Sequence, residues 1–354
     1  MASILVICGG DNAERRVSLS GGDAVTTGLA DAGHDAWKLD TADPETIVPP
    51  NQPLLDGPVG LAPPDETERA TLDRSGWLKL FKTISDHRFD AVFPLLHGGW
   101  GEGGQIQAVL ELIGIPFLGS DMRSSALALD KIRSHHIAES IGLRVAKAEL
   151  LHVVPGNVFS FNDAYRAIVT STIDPEWASF VKESPHQVVL KPNFGGSTVG
   201  ITISKDEQEL HDGLQTIINM GDKPLLEEYV PGREVTVPIL GNQALPMLEI
   251  VPREGYYDYQ NKYTKGMTDY LCPAPVDEMI NTQASSYAEA IFAELGCRHV
   301  ARVDFRLTDS NQLVFLEINT MPGMTDLSLV PMGAKEGGLD FPALMNHFVE
   351  LVLE

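Results

Sequence analysis

Apolar residues fall into short runs bounded by glycine and proline, and the runs change character along the chain. Residues 3–10 read as an apolar strand, 18–32 as a helix, 89–96 as a buried strand and 115–119 as a short third one. Strands alternating with helices predict an α/β domain with a parallel sheet. Between residues 41 and 64 proline and glycine are frequent and no periodicity survives, so this stretch reads as a surface excursion. Residues 123–143 read as one helix, and 158–183 as another that Asp174-Pro175 interrupts. Then strands dominate: 187–191, 200–204, 224–229, 234–240 and 245–251. A helix over 282–295 and a closing helix over 341–353 complete the pattern, with two strands between them at 300–307 and 313–318.

Those last two strands carry the first chemistry. Strand side chains alternate faces, so Arg302, Asp304 and Arg306 share one face while Val303, Phe305 and Leu307 share the other. Glu317 and Asn319 likewise point one way, where the second strand runs out into a Pro-Gly turn. If the strands form a hairpin around residues 309–312, Asp304 meets Glu317 and Asn319. Two carboxylates and an amide oxygen suit a hard cation such as Mg2+, which takes phosphate oxygens as further ligands. A solvated polar strand face is the plainer reading of each residue singly.

Composition narrows the picture. A chain of 354 residues has room for two or three domains. The net charge of -23 argues against nucleic acid and anionic membranes as partners. No apolar stretch reaches the roughly 18 residues of a membrane span. The N-terminus lacks the basic start of a signal peptide. Three cysteines, Cys8, Cys272 and Cys297, have neither metal-like spacing nor an even count, which fits a reducing cytoplasm.

Four loops stand out. Residues 191–200, Lys-Pro-Asn-Phe-Gly-Gly-Ser-Thr-Val-Gly, join two strands with glycines that let backbone N–H groups approach phosphate, and Lys191 is placed to pair with one. The segment follows neither the P-loop nor the dinucleotide pattern, and by itself it is also an ordinary hairpin turn. His97 opens a five-glycine loop at the C-terminal end of a strand, where ligands of α/β sheets gather. Glu14 follows the first strand and can bind an amine or compensate a helix N-terminus. Residues 256–266 are rich in tyrosine, lack an apolar face, and read as a lid that is open without ligand.

In this order the motifs resemble the D-alanine–D-alanine ligases of the ATP-grasp superfamily. The resemblance runs from Gly9 to the final helix. It rests on Gly-Gly-x-x-x-Glu at 9–14, His-Gly-x-x-Gly-Glu at 97–102, Asp130-Lys131, the 191–200 loop and Glu-Glu-Tyr-Val-Pro-Gly-Arg-Glu at 227–234. Tyr-Asp-Tyr-x-x-Lys-Tyr at 257–263, Arg302-x-Asp304, Glu-Ile-Asn-Thr-x-Pro-Gly at 317–323 and Ser328-Leu329 complete it. It implies a three-domain ATP-grasp fold, α/β and α+β, divided at 1–122, 123–228 and 229–354. The N-terminal domain would carry the parallel sheet.

By that resemblance the enzyme joins two D-alanines at the expense of ATP. Lys131, Lys191 and Lys262 would meet the phosphates, and Ser197 would take part in ATP binding. Glu227, Glu228 and Val230 would line the adenine pocket, and Glu234 would hold the ribose. Asp304, Glu317 and Asn319 would hold Mg2+ or Mn2+, two ions in all. Glu14 would bind the first substrate's ammonium and His97 would lie near its carboxylate. Arg302 and the Gly323 N–H would form an oxyanion hole, Ser328 and Leu329 the second carboxylate's site. Glu14, Ser197 and Tyr263 would form a triad tying the lid to the N-terminal domain. A homodimer is implied. Two departures stand out. Gly103 replaces the family's usual acid, which would loosen the His97 loop. Residues 41–88 are longer than in compact members, an enlargement expected to stay away from the site. A relative with D-lactate or D-serine as acceptor, a ligase of secondary metabolism, and a regulatory protein that lost the chemistry are the other readings. Every expected lysine and metal ligand is present, which disfavours the last.

Overall fold

The computed structural model describes residues 1–354 apart from 66, 67, 70, 71, 152–187, 258, 265, 326 and 327. The helix expected over 158–183 lies outside the described residues. Three sheets organise the rest. The first is parallel, in the order β2 (Asp35–Asp40), β1 (Ser3–Cys8), β3 (Ala91–Pro94). The short strand expected at 115–119 contributes a single parallel bridge, Val92 with Phe117, because Pro116 and Gly119 flank it closely. One face of this sheet packs Ile4, Val6 and Phe93 against Leu344, Met345 and Phe348 of the closing helix, Phe341–Leu353. The other packs Leu5, Ile7 and Val92 against the helices Arg74–Asp86 and Gln105–Ile113. Burial on both faces explains why these strands read as continuous apolar runs.

A second, antiparallel sheet runs β4 (Ala148–Leu150), β7 (Pro224–Glu228), β5 (Val188–Pro192), β6 (Thr202–Ile203). The amphipathic helix ending at Asn219 covers it with Leu210, Leu214 and Ile217. The third runs β11 (Thr268–Leu271), β10 (Leu248–Pro252), β8 (Arg233–Leu240), β12 (Val300–Leu307), β13 (Leu313–Asn319), with β9 (Gln243–Ala244) beside β8. Its inner face, Val235, Val237, Val303, Phe305 and Phe315, packs on the helix Glu278–Glu294. The opposite face carries the polar residues.

The single helix expected over 123–143 is two helices, Met122–Leu129 and Lys131–Ser140. Asp130 breaks it. Its backbone is extended, and its carboxylate accepts from Arg133 N as an N-cap and from Asn193 Nδ2 at 3.0 Å. A short polar side chain that can satisfy orphan helix N–H groups outweighs the helical periodicity around it.

Candidate active site

The hairpin of β12 and β13 turns through Thr308–Gln312, with Asn311 left-handed. Asp304 stands opposite Glu317, and Arg302 opposite Asn319. A bulge after Asp304 leaves Leu316 unpaired, and its carbonyl accepts from His135 Nε2 at 2.8 Å. Asp304 is buried. Arg302 lies against it at 2.8 Å, and Thr236 Oγ1, in register on β8, donates to Asp304 Oδ1 at 2.5 Å. Asn319 Oδ1 accepts from Met321 N at 3.1 Å and keeps a second lone pair.

Glu317 faces Lys131 at 3.0 Å. Burial alone would raise its carboxyl, but Lys131, Lys191 and Lys262 outweigh this and hold it down at about 2. Burial and the Arg302 charge push Lys262 the other way, below its ordinary range. Glu317 is thus ionised and balanced by lysines of the chain itself, while Asp304 is paired with Arg302. Among the described residues no three His, Cys, Asp or Glu side chains gather as a metal cluster. The set is two carboxylates and an amide, which fits a hard cation that takes its remaining ligands from water or phosphate.

Lys191, next to last in β5, pairs with Glu227 at 2.7 Å, both buried. Glu227 thus turns inward, while Glu228 is exposed. Tyr229 and Val230 continue along a cleft of about 140 Å³ between the two antiparallel sheets. Glu234 lies across the cleft, 3.7 Å from Arg306, and burial raises its carboxyl against that cation. Lys131 Nζ also donates to Gly195 O at 2.6 Å and fixes the glycine loop.

That loop reaches the first sheet. Ser197 and Thr198 are left-handed, and Ser197 Oγ donates to Glu14 Oε1. Tyr263 OH is 2.7 Å from Ser197 Oγ. Because the serine proton is spent on Glu14, the tyrosine is the donor of that second bond. Burial and the Glu14 charge keep the phenol protonated, well above its ordinary range. A methyl group at Gly196 would meet Glu14 Oε2 at 2.7 Å, so glycine lets the carboxylate approach the loop undisplaced. Glu14 makes no capping bond to the helix Arg15–Asp31; its carboxylate serves the loop.

His97 is buried and donates from Nδ1 to Met321 O at 2.8 Å. Its carbonyl accepts from Asn12 Nδ2, and Gly98 N donates to Glu102 at 3.0 Å. The loop is therefore held by these bonds with Gly103 in the place of the family's usual acid. A side chain at 103 would meet Gly99 O at 2.7 Å. The tyrosine-rich run contains the helix Tyr259–Tyr263, which buries Tyr259 and Asn261, and Tyr257, Lys262 and Tyr263 line the site. Thr198 Oγ1 donates to Tyr257 O at 2.7 Å and Asn261 Nδ2 to Tyr256 O at 2.8 Å, so hydrogen bonds replace the missing apolar face.

Ser328 precedes the helix Leu329–Glu336 and its hydroxyl accepts from Thr325 N at 2.9 Å. The Leu329 side chain packs on Leu248 and Ile250, so what it offers a ligand is backbone N–H at a helix start. Gly323, Ser328 and Leu329 share one cavity of about 610 Å³ with Arg302, Asn319, His97, Glu14 and Tyr263. Pro58 to Leu61 line it too. The expectation that the 41–88 enlargement stays off the site is thus not met, because this run folds back over the first helix. Thr236 and His135 had escaped the sequence reading, and Arg306, placed there on the Asp304 face, had been given no role. Only strand register, which places Thr236 beside Asp304, distinguishes Thr236 from other strand threonines.

Two antiparallel sheets clasping a lysine-lined cleft, with a glycine loop and an acidic hairpin, define the ATP-grasp class of ligases. Residues 3–120 match the family described as D-ala D-ala ligase N-terminus, and residues 161–350 that described as D-ala D-ala ligase C-terminus. The chain belongs to the D-alanine–D-alanine ligase family. The D-alanine--D-alanine ligase of Halalkalibacterium halodurans is 34% identical over 99% of both chains. The D-alanine-D-alanine ligase from Coxiella burnetii shares the fold with a TM-score of 0.74 at 23% identity, over 99% of this chain and 94% of that one. VanG D-Ala:D-Ser ligase from Enterococcus faecalis has a TM-score of 0.69 and 27% identity over 99% of each.

Proposed function

We propose that this chain makes D-alanyl-D-alanine for peptidoglycan from two D-alanines and ATP, through an acyl phosphate. The observation that carries this is one continuous cavity joining Glu14 and His97, the Arg302–Asn319 hairpin, and Ser328. Such a cavity can seat two small zwitterions end to end beside a triphosphate. In this reading ATP lies in the cleft between the antiparallel sheets, with adenine by Glu227 to Val230, ribose at Glu234, and phosphates at Lys131, Lys191 and Lys262. Asp304, Glu317 and Asn319 would hold two Mg2+ or Mn2+ ions, which neutralise phosphate charge and orient the γ-phosphate when bound. Arg302 and Lys131, which otherwise balance the two carboxylates, are then released toward substrate oxygens.

Glu14 holds the first D-alanine's ammonium and His97 positions its carboxylate for attack on the γ-phosphate. The second D-alanine rests its carboxylate on Ser328 and the Leu329 N–H, and its amine attacks the acyl carbonyl. Arg302 and the Gly323 N–H then stabilise the tetrahedral oxyanion, where each such donor supplies about 3–4 kcal/mol. The Glu14–Ser197–Tyr263 chain keeps the lid shut, so the acyl phosphate meets the amine before water. The three sheets would be the centres of domains 1–122, 123–228 and 229–354, and two chains would associate as a homodimer. Among the described residues no helix is long and apolar enough to cross a membrane, which is consistent with a cytoplasmic enzyme. The test is phosphate release with D-alanine, ATP and Mg2+, with the product identified by mass. Phosphate release without dipeptide would reject the reading.

A further inference from the structure

Part of the large cavity has no role in the ligation just described. Val17, Ser20 and Ala24 lie at helical spacing on one face of the helix that begins after Glu14, and all three line the cavity. Pro58, Val59 and Leu61 face them across an arm of that cavity. With a rise of about 1.5 Å per residue, the arm runs roughly 15 Å from Glu14 to Ala24. It therefore belongs to the Glu14 end, not to the Ser328 end.

The wall opposite the helix is held in place. Asp23 accepts from Leu54 N and Leu55 N at 3.0–3.2 Å. The same carboxylate pairs at 2.6 Å with Lys38, which is wholly buried and donates to Pro50 O at 3.2 Å. Arg16 Nη2 donates to Pro58 O at 3.2 Å. Every one of these tethers but Lys38 springs from the helix that follows Glu14. The distance from Glu14 to the wall is thus set through one rigid element. Within the run, Pro58 and Leu61 are exposed while Val59 is half-buried, so Val59 is the most enclosed of the side chains this run brings to the cavity. The helix residues facing it carry no charge, and Ser20 is the polar one among them.

We propose that the segment 54–61 is the size-selecting wall of the first amino acid's subsite, with Val59 as its specificity residue. The inference rests on the function proposed above. The first amino acid becomes the N-terminal residue of the product, because its carboxylate is the one activated. Selection by the wall therefore acts on the N-terminal position alone. One methylene more or less in such an apolar pocket changes discrimination by about tenfold or more.

The experiment offers the enzyme ATP, Mg2+ and equimolar D-alanine and D-2-aminobutyrate, and sequences the dipeptides by tandem mass spectrometry. Val59→Ala should raise the N-terminal share of D-2-aminobutyrate relative to D-alanine about tenfold and leave the C-terminal ratio at the wild-type value. Asp23→Asn, which loosens the tether without touching the cavity, should shift the N-terminal ratio the same way and less. An unchanged N-terminal ratio in both variants, or a shift at the C-terminal position, overturns the wall. If the wild type makes no dipeptide at all, the function itself fails and the wall with it. If it makes D-alanyl-D-alanine and the variants keep its N-terminal choice, the wall alone fails.

Discussion

Arg302 and Asp304 are two residues apart on one strand face, and each is the other's counter-ion at 2.8 Å. Their partnership gives a buried carboxylate a counter-ion from its own strand. Asp304→Asn or Glu317→Gln should leave the melting temperature near the wild-type value and cut turnover at least about a hundredfold, since each removes a charge that balances phosphate. Near-normal turnover at saturating Mg2+ would reject both as metal ligands. Thr236 acts through Asp304. Thr236→Val keeps the shape and removes the donor, so Mg2+ should bind about 10- to 100-fold more weakly, read by calorimetry in the presence of a non-hydrolysable ATP analogue. Unaltered Mg2+ affinity would make the hydroxyl merely structural.

At the scale of elements, the glycine loop and the lid are coupled through atoms with no slack. Gly196→Ala places a methyl 2.7 Å from Glu14 Oε2. Either the loop retreats or the Glu14 carboxylate swings away, and both part Ser197 from Glu14. We expect dipeptide yield per ATP to fall while ATP still binds, because an ajar lid lets water reach the acyl phosphate. Equal yield per ATP would count against the coupling. Another element junction responds to pH. Burial and the nearby Arg298 push His299 from 6.5 down to about 4. Its Nδ1 accepts from Gly119 N at 3.2 Å, which needs the neutral ring. The unfolded chain takes up the proton near 6.5 and the folded one near 4, so the unfolded state binds more protons between those values. The contribution is full above pH 6.5 and is lost as pH falls toward 4. His299→Asn, which tolerates the left-handed backbone there, should melt with a shallower fall across that window. Parallel melting curves for the two proteins would exclude His299 as the cause.

For the whole molecule the open choice is the acceptor. VanG shows that the same fold carries a D-Ala:D-Ser ligase. Here Leu329 turns its side chain into the apolar cluster with Leu248 and Ile250, so it adds no positive charge to the Ser328 end. Among the described residues at that end none favours an alcohol over an amine. D-Alanyl-D-alanine should therefore be the main product near neutral pH with equal D-serine or excess D-lactate present. Mass spectra dominated by D-alanyl-D-lactate or D-alanyl-D-serine would overturn this.

The sequence by itself determined the class of fold, because burial on both faces makes parallel strands continuous and burial on one face makes β12 alternate. It also placed Asp304 beside Glu317, since side-chain alternation and a short turn leave a hairpin little choice of register. It misjudged 123–143, where Asp130 offers the backbone a better partner than the helix does. The hydrogen bond from Thr198 to Tyr257 and that from His97 to Met321 join residues far apart along the chain and leave no trace in local pattern. Thr236, His135 and the 54–61 segment carry no local signal at all. Their partners are Asp304, Leu316, Asp23 and Arg16, and only packing brings these together. Periodicity reports which face of an element is dry. Which polar group on one element meets which on another is fixed by long-range contacts, and so by the tertiary structure alone.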